Sequence, residues 1–124
     1  MKPATALSAA LILTALVSQA KAEEILLSCV LSSPDLPRQD LIIKVSNGRI
    51  AYGSTMASLV DVETIDKGSL SIKDSHIAFK QTWSDTHVQW DWYIDRDSGD
   101  ISIRYINTEN RKQFLQKKGS CSNG

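Results

Sequence analysis

The chain has 124 residues, 42% hydrophobic and 23% charged, with fourteen basic and fourteen acidic side chains and a net charge of zero at neutral pH. This length supports one domain, and the charge balance excludes a nucleic-acid binder, which carries a basic surplus. The two cysteines and two histidines have no neighbours at metal-ligand spacing, which excludes a zinc motif.

The first residues read as a targeting segment. Lys2 supplies one positive charge, an apolar run follows from Ala4 to Ala20, and Ala20-Lys21-Ala22 places small residues where a signal peptidase reads. Cleavage after Ala22 is expected, leaving residues 23–124 as a single β domain with no transmembrane segment. The run is too short and too diluted by Thr5, Ser8, Thr14 and Ser18 for a spanning helix. Leu26-Leu27-Ser28-Cys29 loosely matches a lipidation site, but Lys21, Glu23 and Glu24 separate it from the apolar run, so acylation at Cys29 is not expected. The mature chain keeps fourteen acids and twelve bases, a net charge of −2. A periplasmic or extracellular location follows.

Beyond the cleavage site the periodicity is that of strands. Glu24 to Leu31 forms an opening strand, and Ser32 to Pro37 reads as a loop because two prolines remove ladder donors. Leu41, Ile43 and Val45 alternate up to Asn47-Gly48, a strong hairpin turn, after which Ile50 and Tyr52 continue. Leu59 to Ile65 reads as a strand ended by Asp66-Lys67-Gly68. A further hairpin runs from Leu70-Ser71-Ile72 through Asp74-Ser75 to Ile77-Ala78-Phe79. The clearest alternation lies at 87–95: Val88, Trp90, Trp92 and Ile94 share one face, His87, Gln89, Asp91, Tyr93 and Asp95 the other. Arg96-Asp97-Ser98-Gly99 turns the chain into Ile101, Ile103 and Tyr105. Residues 108–119 fit a short helix or a closing strand. The strand is favoured because Cys121 must reach the strand bearing Cys29.

Seven or eight short strands without a long helix predict an all-β domain, an antiparallel barrel or sandwich. In an oxidising compartment Cys29 and Cys121 are expected to pair and close nearly the whole domain into one loop. Tyr52, Phe79, Trp83, Trp90, Trp92 and Tyr105 fall on or near apolar-facing positions and are assigned mainly to the core.

No catalytic constellation emerges. Both cysteines are committed, no serine sits in a Gly-x-Ser-x-Gly elbow, and His87 and Asp91 are about 13 Å apart along one strand. His76 and His87 each begin a strand and could approach across a ladder, yet two histidines make an incomplete metal site. Asp91, Asp95, Asp97 and Asp100 surround Gly99, but the glycine comes one place early for a calcium loop and Ile106 stands where the bidentate glutamate belongs. A hairpin turn explains them. The sequence therefore predicts no enzyme, no metal and no cofactor.

What remains is binding. The first expectation is an exported protein-binding module of inhibitor or accessory type, its candidate surface formed by Trp83, His87, Trp90, Trp92 and Tyr93. The second is a carrier holding a small apolar ligand inside a lipocalin-like barrel, against the tryptophan face of 88–94. The third is a structural envelope protein. Cysteines near both ends of a mature all-β chain make it similar in architecture to the small exported lysozyme inhibitors, which implies a compact barrel. Their Ser-Gly-x-x-Tyr signature is not reproduced: Ser98-Gly99 is followed by Asp100 and Ile101, and Tyr105 lies too far along, so the resemblance assigns no residue a role.

Overall fold

A computed structural model describes residues 24–123, so the expected signal segment at 1–22 lies outside the described residues. Nine antiparallel strands follow in chain order: β1 Glu24–Ser33, β2 Leu36–Ser46, β3 Arg49–Gly53, β4 Val60–Asp61, β5 Ser71–Ile72, β6 His76–Trp83, β7 Val88–Asp95, β8 Asp100–Asn107 and β9 Gln113–Asn123. They form one sheet in the order β4-β3-β2-β1-β9-β8-β7-β6-β5, curled into a half-barrel. The domain is thus all-β as expected. It is neither a closed barrel nor a two-sheet sandwich, and it has nine strands rather than seven or eight.

The sheet stays open because its two edge strands are only two residues long and do not pair with each other. The chain between them does the closing. Val62 donates to the Ile50 carbonyl at 2.8 Å on one side, and Asp66 donates to the Lys80 carbonyl at 2.8 Å on the other. Ile65 makes a single bridge to Gln81. Val62, Ile65 and Leu70 of this segment, with Ile72 of β5, pack onto the core. The expected strand over 59–65 therefore shrinks to Val60–Asp61 plus that bridge, because 62–70 spans the gap instead of running along a neighbour.

The concave face is the core. The odd-numbered residues Ile25 to Leu31 of β1, Leu41, Ile43 and Val45 of β2, Ile77 and Phe79 of β6, Trp92 and Ile94 of β7, and Ile101 and Ile103 of β8 are all buried. This is the alternation a one-sided sheet requires. Asn47 and Gly48 both take left-handed conformations (φ 53° and 75°) between β2 and β3, as a tight hairpin turn demands.

Two boundaries differ from expectation. The loop at 32–37 contracts to Pro34-Asp35, and Leu36 and Pro37 begin β2. Proline is tolerated there because β3 pairs with β2 only from Ile42 onward, which leaves this stretch without a neighbour on that side. Residues 108–119 resolve into a turn followed by β9, the strand alternative.

Cys29 and Cys121 are bonded and sit directly opposite each other on β1 and β9. The Cys29 sulfur is therefore not free for acylation. Two residues away, Gly119 packs so closely on β1 that a Cβ there would lie 1.7 Å from the Val30 carbonyl oxygen. The first and last strands thus meet backbone to backbone.

Two predictions follow from this junction. Replacing both cysteines with alanine should cost about 4–5 kcal/mol of unfolding free energy, the loop-entropy value for a bridge spanning 92 residues; urea unfolding with and without the substitutions measures it. Gly119→Ala should cost about 3 kcal/mol, the upper end of the overpacking range, and lower the urea midpoint in proportion.

Candidate functional site

The antiparallel register gathers one end of the half-barrel from six strands. Trp83 ends β6 opposite Val88 at the start of β7. Trp90 stands opposite both Gln81 and Tyr105, and Tyr105 opposite Leu115. The β1–β2 tip, Ser33 to Leu36, arrives at the same end.

There the aromatic rings form a run that is only partly covered. Ring centroids of Trp83 and Trp90 are 4.6 Å apart, those of Trp90 and Tyr105 4.8 Å, and those of Tyr105 and Phe114 6.2 Å. The contacts are tilted or edge-on, the geometry the ring quadrupoles favour. Phe114, at the outer end, is 58% exposed. Lys117 lies one step further along the inner face; its ammonium is 5.6 Å from the Tyr105 ring centroid and donates to Gln39 Oε1 at 2.9 Å. The site therefore presents a hydrophobic band with a cation on its border.

Beside Phe114 a cleft of about 760 Å³ opens between two walls. One wall is the hairpin tip Ser32-Ser33-Pro34-Asp35, the other Gln113 to Gln116 with Lys118. The register explains the cleft. β1 pairs with β9 only as far as Ser32 opposite Lys118, while β9 continues to Gln113 along β8.

The expected surface residues separate. Trp83 and Trp90 meet at the open end. His87 lies in the β6–β7 turn nearby, left-handed at φ 57°, with Nε2 3.9 Å from Glu109 Oε2. Trp92 is 4% exposed and belongs to the core, stacked on Phe79 and Tyr52 with 5.1 Å between centroids in each case. Its indole N–H donates to Gln81 Oε1 at 2.8 Å, and Gln81 in turn donates to Thr64 Oγ1 at 2.9 Å. This chain of polar contacts, buried at Trp92 and Gln81, ties the spanning segment to β6 and β7. Tyr93 is 47% exposed on the convex face and stacks on His76. Trp92 and Tyr93 therefore cannot share a surface with Trp83 and Trp90.

His76 and His87 do not approach. They lie at opposite ends of the β6–β7 pair, because an antiparallel hairpin sends its strand starts apart. In the acidic turn, Asp95 Oδ1 accepts from the Asp97 and Ser98 amides at 2.9 and 3.1 Å. Those backbone bonds hold its carboxyl below the usual carboxylate range. Among the described residues no group of three or more potential metal ligands converges.

Sequence reasoning did not assign Phe114, Leu115 or Lys117 to the site, because the favoured strand over 108–119 was read only as the element that brings Cys121 to Cys29. The available signal was two apolar residues set inside the basic stretch 111–118, an arrangement a purely solvated face does not need. Tyr105, assigned with the other aromatics mainly to the core, is only partly covered.

Compared with known proteins, the chain matches no family model, no curated sequence and no solved structure.

Burial pushes the Tyr105 phenol above the usual value of about 10. Its folded-state pKa exceeds the unfolded one, so its contribution to stability is complete below about pH 10 and is lost as pH rises through the folded value. Urea unfolding between pH 8 and 12 should therefore show an alkaline loss that Tyr105→Phe reduces, and absorbance at ~295 nm should show a late phenol ionisation that Tyr105→Phe removes.

Proposed function

We propose that this chain acts outside the reducing cytosol as a protein-binding module of the inhibitor or accessory type, with the open aromatic end of the half-barrel as its contact surface. The observation that carries this reading is the band Trp83–Trp90–Tyr105–Phe114, left partly uncovered and ending in an exposed phenylalanine. Contiguous exposed apolar surface with a polar border is the usual mark of a partner site. Tryptophan and tyrosine dominate the energetics of such sites because they bury large areas with few torsions to immobilise.

Location outside the cytosol draws support from the disulfide, which persists in oxidising compartments. Among the described residues no helix is long and apolar enough to cross a membrane. Binding at the surface is favoured over carriage of an apolar ligand inside because the Trp92 ring fills the space between Tyr52 and Phe79. A carrier needs that volume empty.

The test is retention of a partner from the envelope fraction of the exporting cell on immobilised mature protein, with affinity then measured for the isolated partner. Phe114→Ala should weaken binding at least tenfold while changing stability by less than about 0.5 kcal/mol, because the side chain is exposed and outside the core. Trp83→Ala should weaken it further. Binding unchanged by both substitutions would rule out the aromatic end as the contact surface.

A further inference from the structure

We infer that the free edge of β9 accepts an extended acidic segment of the partner as an added strand. The inference rests on the protein-binding reading above and assigns it a mode and a charge. It starts from the direction of the backbone groups. Cys121 donates its N–H to the Gly99 carbonyl, toward β8, at 2.7 Å. In an antiparallel ladder alternate residues turn their N–H and C=O to opposite neighbours. Cys121, Gly119, Lys117 and Leu115 therefore bond toward β8, and Ser120, Lys118 and Gln116 toward β1. Ser120 and Lys118 meet Val30 and Ser32, but β1 has no residue paired with Gln116. Its N–H and C=O face the cleft beside the hairpin tip.

On the opposite wall Ser33 Oγ is buried and has no hydrogen-bond partner among the described residues. An unpaired strand edge beside a cleft is the starting point for recognition by strand addition, in which backbone bonds supply affinity and flanking side chains supply selectivity. The register of β9 against β8 shifts between Leu115 and Gln113, so the regular edge is Leu115–Lys117, roughly 10 Å long, with Gln116 at its centre. Short strands are one way in which sheet edges are blunted, as β4 and β5 are at two residues each.

Charge decides the occupant. Between residues 110 and 118 the chain carries Arg111, Lys112, Lys117 and Lys118 and no acid, whereas the rest of the described chain carries eight basic and thirteen acidic side chains. None of the four forms an ion pair with an acid among the described residues. A second copy of this chain would set lysines against lysines across the new ladder, which is unfavourable. An acidic segment is complementary and is drawn to the edge at long range.

The test uses a nine-residue synthetic peptide of alternating valine and glutamate, its valine–lysine counterpart, and the mature disulfide-bonded protein. The glutamate peptide should slow hydrogen exchange at the Gln116 amide at least tenfold, and the lysine peptide should not. Gln116→Pro, which removes that N–H, should weaken glutamate-peptide binding at least tenfold. Lys112→Glu combined with Lys118→Glu should reverse the preference between peptides, and it keeps the test decisive if the proline variant fails to fold. An unprotected Gln116 amide at millimolar peptide overturns the inference, as does self-association of the protein through β9 in sedimentation. If the envelope partner binds wild type and the charge-reversed variant equally, the aromatic surface stands and the added strand falls. If no partner is retained but the peptide protects Gln116, the edge stands and the aromatic surface falls.

Discussion

The junction of the first and last strands governs this fold. Cys29 and Cys121 fix β1 beside β9 in one register, and Gly119 lets the two backbones approach where any side chain would collide with the Val30 carbonyl. That contact joins two runs of antiparallel strands, β1–β4 and β5–β9, into one sheet. Without it each half would present an unpaired edge and an uncovered apolar face. Because the bridge closes a loop of 92 residues, it acts largely by restricting the unfolded chain.

The same register produces the open end. β1 turns at Pro34-Asp35, but β9 extends five residues beyond its last pairing with β1. A sheet edge and a cleft therefore follow from a mismatch in strand length, at the end where β6, β7 and β8 deliver Trp83, Trp90 and Tyr105. The aromatic band and the free edge are two aspects of one event. The core ends there before the strands do, so large side chains are supported from beneath and left partly uncovered.

At the other side of the half-barrel the molecule solves a different problem. Two-residue edge strands cannot close a barrel, and the segment 62–70 crosses the gap instead, bonded at each end and anchored by Gln81 between Thr64 and the Trp92 indole. Gln81 is 1% exposed with both ends of its amide engaged, which keeps a buried polar group from becoming a liability. Trp92 is thereby locked in the middle of the core. The rigid side and the open side are built from alternate residues of the same strand, Trp92 and Trp90.

Much was legible in the residues alone. Strict alternation over 88–94 and 101–105, the Asn47-Gly48 turn and the pair of cysteines determined the strands, two hairpins and the disulfide, because period-two burial and left-handed turn residues are local physics. Where neighbours rather than local preference decide, the tertiary structure was required. Pro37 lies in a strand because β3 ends before reaching it, and Phe114 is a surface residue because β1 turns back before covering β9. Trp90 and Trp92 look identical in the alternation, and only their depth along the half-barrel separates a partly covered ring from a core ring. Alternation tells which face a side chain takes; how far along that face the core extends depends on strands distant in sequence.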